Sequence, residues 1–163
     1  MVFMPKLEEL SKEQVDDIVR DRGVKGWIKA WFAIELMAVS HDITEKALRE
    51  HVDNLESVKE VFVFKKDFKP VEKLEIPPKG LAEAYSQVAE INILIKDMPT
   101  LINIVMAFGP SSVEILEPKE VKIRIDEVQS IANLVAAMMH QFASAGVGGL
   151  VFTPQKNQKN PEL

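Results

Sequence analysis

Three glutamates are the residues of this chain best suited to chemistry. Glu35, Glu90 and Glu114 each interrupt an apolar segment of alternating pattern. Carboxylates held together on neighbouring strands bind magnesium or manganese, or act as general acid and base. Lys29 and Lys96 fall on the same predicted face and would neutralise them instead. A metal-dependent enzyme using this carboxylate cluster is therefore an alternative function.

Other catalytic patterns are poorly supported. The chain has no cysteine, which excludes disulfides, thiolate metal sites, iron-sulfur clusters and thiol nucleophiles. His41, His51 and His140 lack a matching ligand at metal-binding spacing within their own segments. A catalytic triad assembled from different elements stays open. We predict no catalytic residue, no metal ligand and no cofactor.

Composition indicates one globular domain with appendages. Of 163 residues, 47% are hydrophobic and 28% are charged, which is ordinary for a folded domain. The net charge of -5 disfavours general binding to nucleic acid or anionic lipid. No stretch reaches the roughly 18 apolar residues of a membrane span, and the first ten residues lack the apolar run of a signal peptide. We predict a cytoplasmic protein.

The hydrophobic periods give an order of elements that predicts a fold. The first predicted element is a short helix that is capped by Ser11 and Gln14 and ends at Gly23. After it, the hydrophobic period alternates between 2, which indicates a strand, and 3.6, which indicates a helix. The predicted elements are strands at 27–38, 58–68, 85–96 and 113–125, and helices at 42–55, 97–109 and 127–143. We assign Asp42 or Thr44, Asp97, and Asp126 with Gln129 as the caps of these three helices.

This order is typical of an α+β, ferredoxin-like split βαβ sandwich with an extra N-terminal helix and a long C-terminal helix. The predicted organisation is an N-terminal extension at 1–26, the ferredoxin-like domain at 27–145, and a C-terminal strand or tail at 146–163. Residues 69–84 form a long hairpin excursion. The predicted core faces are Ile28, Ala30, Phe32, Ile34 and Leu36; Ala89, Ile91, Ile93 and Ile95; Leu48, Val52 and Leu55; and Leu101, Ile102, Val105 and Phe108.

The second face of the sheet is the predicted site, because helices cover only the first face in such a sandwich. It carries Trp31, Ala33, Glu35, Met37, Val88, Glu90, Asn92, Leu94, Glu114 and Leu116. A face this apolar favours cover by the N-terminal helix, the C-terminal helix or a second subunit. A small-ligand or protein-partner site centred on Trp31 is the functional interpretation. RNA stacking is a weaker alternative, with Lys65, Lys66 and Lys69 as the local basic cluster.

The last helix carries an apolar stripe that needs cover. Its members are Val128, Ile131, Val135, Met138 and Phe142. Spacings of three and four permit helix pairing between subunits, and packing onto the sheet explains them as well.

Residues 108–118, Phe-Gly-Pro-Ser-Ser-Val-Glu-Ile-Leu-Glu-Pro, precede a capped helix that contains Met139 and His140. This segment resembles small uncharacterised archaeal proteins. The resemblance implies a ferredoxin-like domain and supplies no catalytic residue.

These patterns together predict a non-catalytic binding or oligomerisation module, and within that class a regulator responsive to a small ligand. The expected partner is a second copy of the chain, with a small molecule or another protein as alternatives, and neither nucleic acid nor a membrane. The alternatives are the carboxylate enzyme and the RNA-binding module.

Overall fold

The computed structural model describes residues 5–146. A short 3-10 helix, Leu7–Glu9, precedes helix α1. The helices are α1 (Lys12–Val24), α2 (His41–Glu56), α3 (Met98–Phe108) and α4 (Ile125–Ser144). The strands are β1 (Ile28–Ala38), β2 (Val61–Phe68), β3 (Glu72–Lys73), β4 (Tyr85–Ile95) and β5 (Ser112–Glu117). The predicted C-terminal strand or tail falls at 147–163, outside the described residues.

The sheet has the order β2-β4-β1-β5 with antiparallel neighbours, and β3 pairs with the start of β4. Strands β1 and β2 are therefore parallel to each other and are joined through α2, while β4 lies between them. The same relation holds for β4 and β5, which are joined through α3 around β1. These two interleaved units confirm the α+β, ferredoxin-like split βαβ fold.

The core lies between one face of the sheet and helices α2 and α3. The predicted core residues of β1, β4 and α2 are buried there, apart from Leu36, which packs at the margin. In α3 the prediction was wrong at one position, because Ile104 is buried and Ile102 is only half-buried. Ile104 continues the spacing of three and four from Leu101, whereas Ile102 lies off that stripe.

Three helix ends are as predicted. The Ser11 hydroxyl accepts a hydrogen bond from the Gln14 amide (3.2 Å), and the Gln14 side chain accepts one from the Ser11 amide (2.8 Å). Asp97 caps α3, which ends at Gly109 in the left-handed region (φ 55°). These caps depend on neighbouring residues alone, which is why the sequence identifies them.

Other boundaries differ from the prediction. Helix α1 continues through Gly23 and ends in a Schellman turn, in which Gly26 (φ 83°) allows the Trp27 amide to reach the carbonyl of Arg22 (3.0 Å). Ser40 caps α2 in place of Asp42 or Thr44, and its hydroxyl accepts from the Ile43 amide (3.3 Å).

Helix α4 and strand β5 also have different bounds. Helix α4 begins after Arg124, whose amide donates to the Glu127 carboxylate (2.8 Å), so Asp126 lies inside the helix. Strand β5 stops at Glu117 rather than at residue 125, because Pro118 has no N–H to donate to a ladder. The excursion at 69–84 contains the two-residue strand β3, which was predicted as irregular.

Candidate functional site

The register places the predicted site residues on one face of the sheet. Trp31 pairs with Asn92 on one side and with Glu114 on the other, and Leu94 pairs with Lys29. Paired residues point to the same face, so this face is opposite to that of Phe32 and Ile91 in the core. Glu35 and Met37 continue it toward the end of β1. We refer to it as the second face.

The three glutamates do not converge. Glu35 pairs with Val88 and Glu90 with Ala33, so the two acids are diagonal neighbours about 7–8 Å apart at the backbone. The Glu35 carboxylate accepts from the Ser86 hydroxyl (2.6 Å), and Glu90 lies 3.6 Å from the Lys69 ammonium. Glu114 lies across β1, level with Trp31. No three acidic or histidine residues within the described range are grouped to hold a metal ion.

Helix α1 covers one end of the second face. Leu94 is 1% exposed and Phe62, its partner on β2, is 3% exposed, although both point away from α2 and α3. Val19 and Gly23 of α1 lie beside Leu94 around a shared cleft. The other end is open, because Glu35 and Met37 are exposed there. The second face is therefore divided into a covered end and an open end.

The cleft between α1 and the sheet has a volume of about 310 Å³. It is lined by Val19, Gly23, Gly26, Trp27, Lys29, Leu94, Glu117 and Pro118. Of these residues the sequence analysis assigned only Leu94 to the site. The signals that pointed to the cleft were the single apolar edge of α1 and the position of Trp27 and Lys29 on the second face. We refer to this space as the α1 cleft.

A buried ion pair holds the segment before α1. The Lys66 ammonium donates to Glu56 (2.8 Å) and to Glu8, and the other Glu56 oxygen accepts from the Leu7 amide (2.8 Å). The hydrogen bond from Lys66 lowers the pKa of Glu8. Burial acts to lower the pKa of Lys66, but the hydrogen bonds to Glu56 and Glu8 outweigh it and raise that pKa. The segment is thus attached on the helix side of β2, whereas α1 lies on the second face.

The local basic cluster is largely neutralised. Lys66 forms ion pairs with Glu56 and Glu8, and Lys69 forms ion pairs with Asp67 (2.6 Å) and with Glu90. Lys65 pairs with Asn92 on the second face. Trp31, the aromatic side chain of the predicted site, is flanked by Glu114 and half-buried. No observation on these residues favours RNA binding.

Helix α4 contains no buried residue over its twenty positions. It makes most of its contacts with α3. Of the predicted stripe, Ile131 and Met138 are half-buried, whereas Val128, Val135 and Phe142 are exposed. The stripe is therefore neither packed onto the sheet nor fully covered by α3. A row of apolar side chains along α4 faces solvent in the single chain.

Strand β5 has apolar side chains that are exposed to solvent on the helix side of the sheet. Val113 and Ile115 pair with Phe32 and Ala30, so they point to the core side, yet both are more than 40% exposed. Together with the exposed row of α4 and the segment between, they are exposed apolar residues at 113–142 that we term the C-terminal patch. Its members are Val113, Ile115, Val121, Ile123, Ile125, Val128, Val135 and Phe142, which are 39–84% exposed.

The contacts of His51 join two helices. The His51 ring donates from Nε2 to the carbonyl of Phe108 (2.8 Å) and meets the Phe108 ring edge-on. This contact ties α2 to the end of α3. Within residues 5–146 no helix combines the length and the apolar character needed to cross a membrane.

Comparison with known proteins identifies one family. The model of the MJ0538 family matches residues 29–162, which is most of the chain. The match begins after α1, so four of the eight residues that line the α1 cleft, Val19, Gly23, Gly26 and Trp27, lie outside it. No curated protein and no solved structure matches the chain. The match agrees with the resemblance drawn from residues 108–118.

Proposed function

We propose that this chain, which belongs to the MJ0538 family, is a non-catalytic oligomerisation and binding module whose subunits associate through the C-terminal patch. The observation that carries the proposal is α4, a twenty-residue helix without a buried side chain. Helices in water owe most of their stability to the packing of an apolar face. Contacts with α3 supply only part of that packing.

The size of the patch suits a subunit interface. The exposed fractions of its eight side chains add up to about four fully exposed apolar side chains. At about 60–120 Å² for each side chain, this is roughly 240–480 Å² of apolar surface in one subunit. A standard interface buries about 800 Å² per partner, of which about 65% is apolar in homodimers. The patch thus supplies about half or more of the apolar area required.

The occupant that fits this patch is a second copy of the chain. Within the described part of the chain, the patch contains apolar residues of α4 that pack on no sheet, at Val128 and Val135. It also contains apolar residues of β5 that no described helix covers, at Val113 and Ile115. Two copies related by a twofold axis place the helix of each over the strand of the other, which is an isologous contact. Strand β5 is also a terminal strand of the sheet, so its outer edge is accessible to a partner.

The segment at 118–124 supports the same arrangement. Val121, Ile123 and Ile125 alternate with Lys122 and Arg124, which is the pattern of a strand with one buried face. Among residues 5–146 this segment has no strand neighbour, and its apolar residues are exposed. A second copy provides the apolar contact that the pattern requires.

The test compares the mass of the full chain with that of variants in the micromolar range. We expect the unmodified chain to be oligomeric, and Val135→Asp and Ile115→Asp to be monomeric with unchanged far-UV circular dichroism. Ile76→Asp is the matched control, because Ile76 is 87% exposed and outside the patch. Sedimentation velocity measures the mass. A monomeric unmodified chain, or patch variants that stay oligomeric, would refute the proposal.

The cytoplasmic location expected from the sequence stays a prediction. The carboxylate enzyme and the RNA-binding module gain no support from the described geometry, since the three glutamates are separated and two of the three lysines, Lys66 and Lys69, are in ion pairs. The remaining element of the sequence-based hypothesis, a small ligand, concerns the α1 cleft.

A further inference from the structure

We propose that the α1 cleft binds a free α-amino acid with an aliphatic side chain of about the size of leucine. This goes beyond subunit association, because the cleft opens on the second face, whereas Val113 and Ile115 of the C-terminal patch point to the helix side of β5. The cleft combines a limited volume, apolar walls and two opposite charges.

The volume sets the size of the ligand. About 310 Å³ is at the lower end of the range for ligand pockets, about 300–1,000 Å³. At roughly 30 Å³ for each water-sized group, it admits about ten such groups. A leucine-sized amino acid is of this size. Val19, Trp27, Leu94 and Pro118 provide apolar walls.

Two glycines, Gly23 and Gly26, line the cleft. A Cβ atom built on Gly23 or Gly26 meets no other atom within 4 Å. Gly26 is required for its positive φ, as described above, but Gly23 has no such requirement inside α1. Glycine is less favourable than alanine inside a helix, and α1 nevertheless has glycine at this position beside the cleft. Gly23 therefore lines the α1 cleft without a side chain.

The charges select a zwitterion. Lys29 and Glu117 are register partners on β1 and β5 at the β-bulge, and both line the cleft. Within the part of the chain that the structure describes, neither forms an ion pair within 4.0 Å, and the Lys29 ammonium lies 5.7 Å from the centre of the Phe64 ring. A carboxylate and an ammonium on one ligand carbon complement Lys29 and Glu117, while the side chain of the ligand contacts Trp27 and Leu94.

The experiment titrates the full chain with three small molecules by calorimetry. They are L-leucine, 4-methylpentanoate, which lacks the ammonium, and 3-methylbutylamine, which lacks the carboxylate. We expect saturable binding of leucine and at least about tenfold weaker binding of each analogue, because each leaves one charge of the site unpaired. No binding of leucine at millimolar concentration, or equal binding of either analogue, would overturn the proposal.

Variants locate the site. Lys29→Met and Glu117→Gln should each weaken leucine binding about tenfold or more. Lys96→Met is the matched control, since Lys96 is exposed beside Glu60 on the same strand end and outside the cleft, and its affinity should be unchanged. Gly23→Leu fills the cleft and should abolish binding while the melting temperature is kept or raised. Binding that survives Gly23→Leu or Lys29→Met would assign leucine to another place and refute the α1 cleft.

Discussion

Removing the Lys66 ammonium should destabilise the fold more than removing any surface lysine. The side chains of Lys66 and Glu56 are only 10% and 4% exposed, and the two groups are 2.8 Å apart. Lys66→Met leaves the Glu56 carboxylate buried, with the Leu7 amide as its remaining donor. Leaving one charge of a buried pair uncompensated costs about 3–5 kcal/mol in unfolding free energy. We expect a loss in this range.

A double-mutant cycle separates the pair from the individual side chains. Glu56→Gln keeps an acceptor for Leu7 and should cost about 1–3 kcal/mol. The double variant should lose less than the sum of the two single losses by about 1–3 kcal/mol, because the two side chains are in direct contact. Urea unfolding at one fixed protein concentration measures these values, since association would shift the apparent stability.

The matched control is Lys73→Met. Lys73 forms an equally short pair with Glu83 (2.7 Å), but both side chains are more than half exposed. An exposed ion pair contributes little to the unfolding free energy, because water screens both charges. If Lys66→Met costs no more than Lys73→Met, the assignment of Lys66 and Glu56 as a buried stabilising pair is wrong.

Two further predictions concern the same N-terminal region. The Lys66 hydrogen bond lowers the pKa of Glu8 in the folded state, so the stabilisation is present above the ordinary glutamate pKa of about 4.3 and is lost as the pH falls through the lower folded value. Protease cleavage near residues 5–11 should therefore increase below about pH 4 and should not change between pH 5 and 8. Cleavage that is independent of pH would contradict this prediction. Gly23→Ala should raise the unfolding free energy by about 0.5–1 kcal/mol, whereas Gly26→Ala should lower it by about 1–2 kcal/mol because Gly26 has a positive φ. Thermal unfolding measures both effects. Equal effects of the two substitutions would be inconsistent with the Schellman turn.

Much of the fold follows from local patterns. Alternation in residues 27–38 and 85–96 predicted which face of β1 and β4 enters the core, because successive side chains of a strand point to opposite faces. The stripe Leu48, Val52 and Leu55 predicted the inner face of α2 in the same way. Caps at Ser11 and Asp97 needed only residues within one turn of the helix. All these signals join residues that are close in sequence.

The site depended on contacts that no local pattern contains. The separation of Glu35, Glu90 and Glu114 comes from the register of three strands, and a shift by two residues would have placed them differently while leaving each pattern unchanged. Lys66 was predicted in a solvent-exposed basic cluster, whereas its ion pairs reach Glu56 and Glu8, residues distant in the chain.

The sequence by itself determined the type of the main helices and strands and the faces that β1, β4 and α2 bury, since both follow from backbone periods of 2 and 3.6. Only the tertiary structure decided that α1 covers part of the second face and that α4 lies beside α3 with an exposed apolar row. An apolar stripe requires contact with some apolar surface but does not specify which one. That choice depends on the shape, distance and chain connection of the whole molecule.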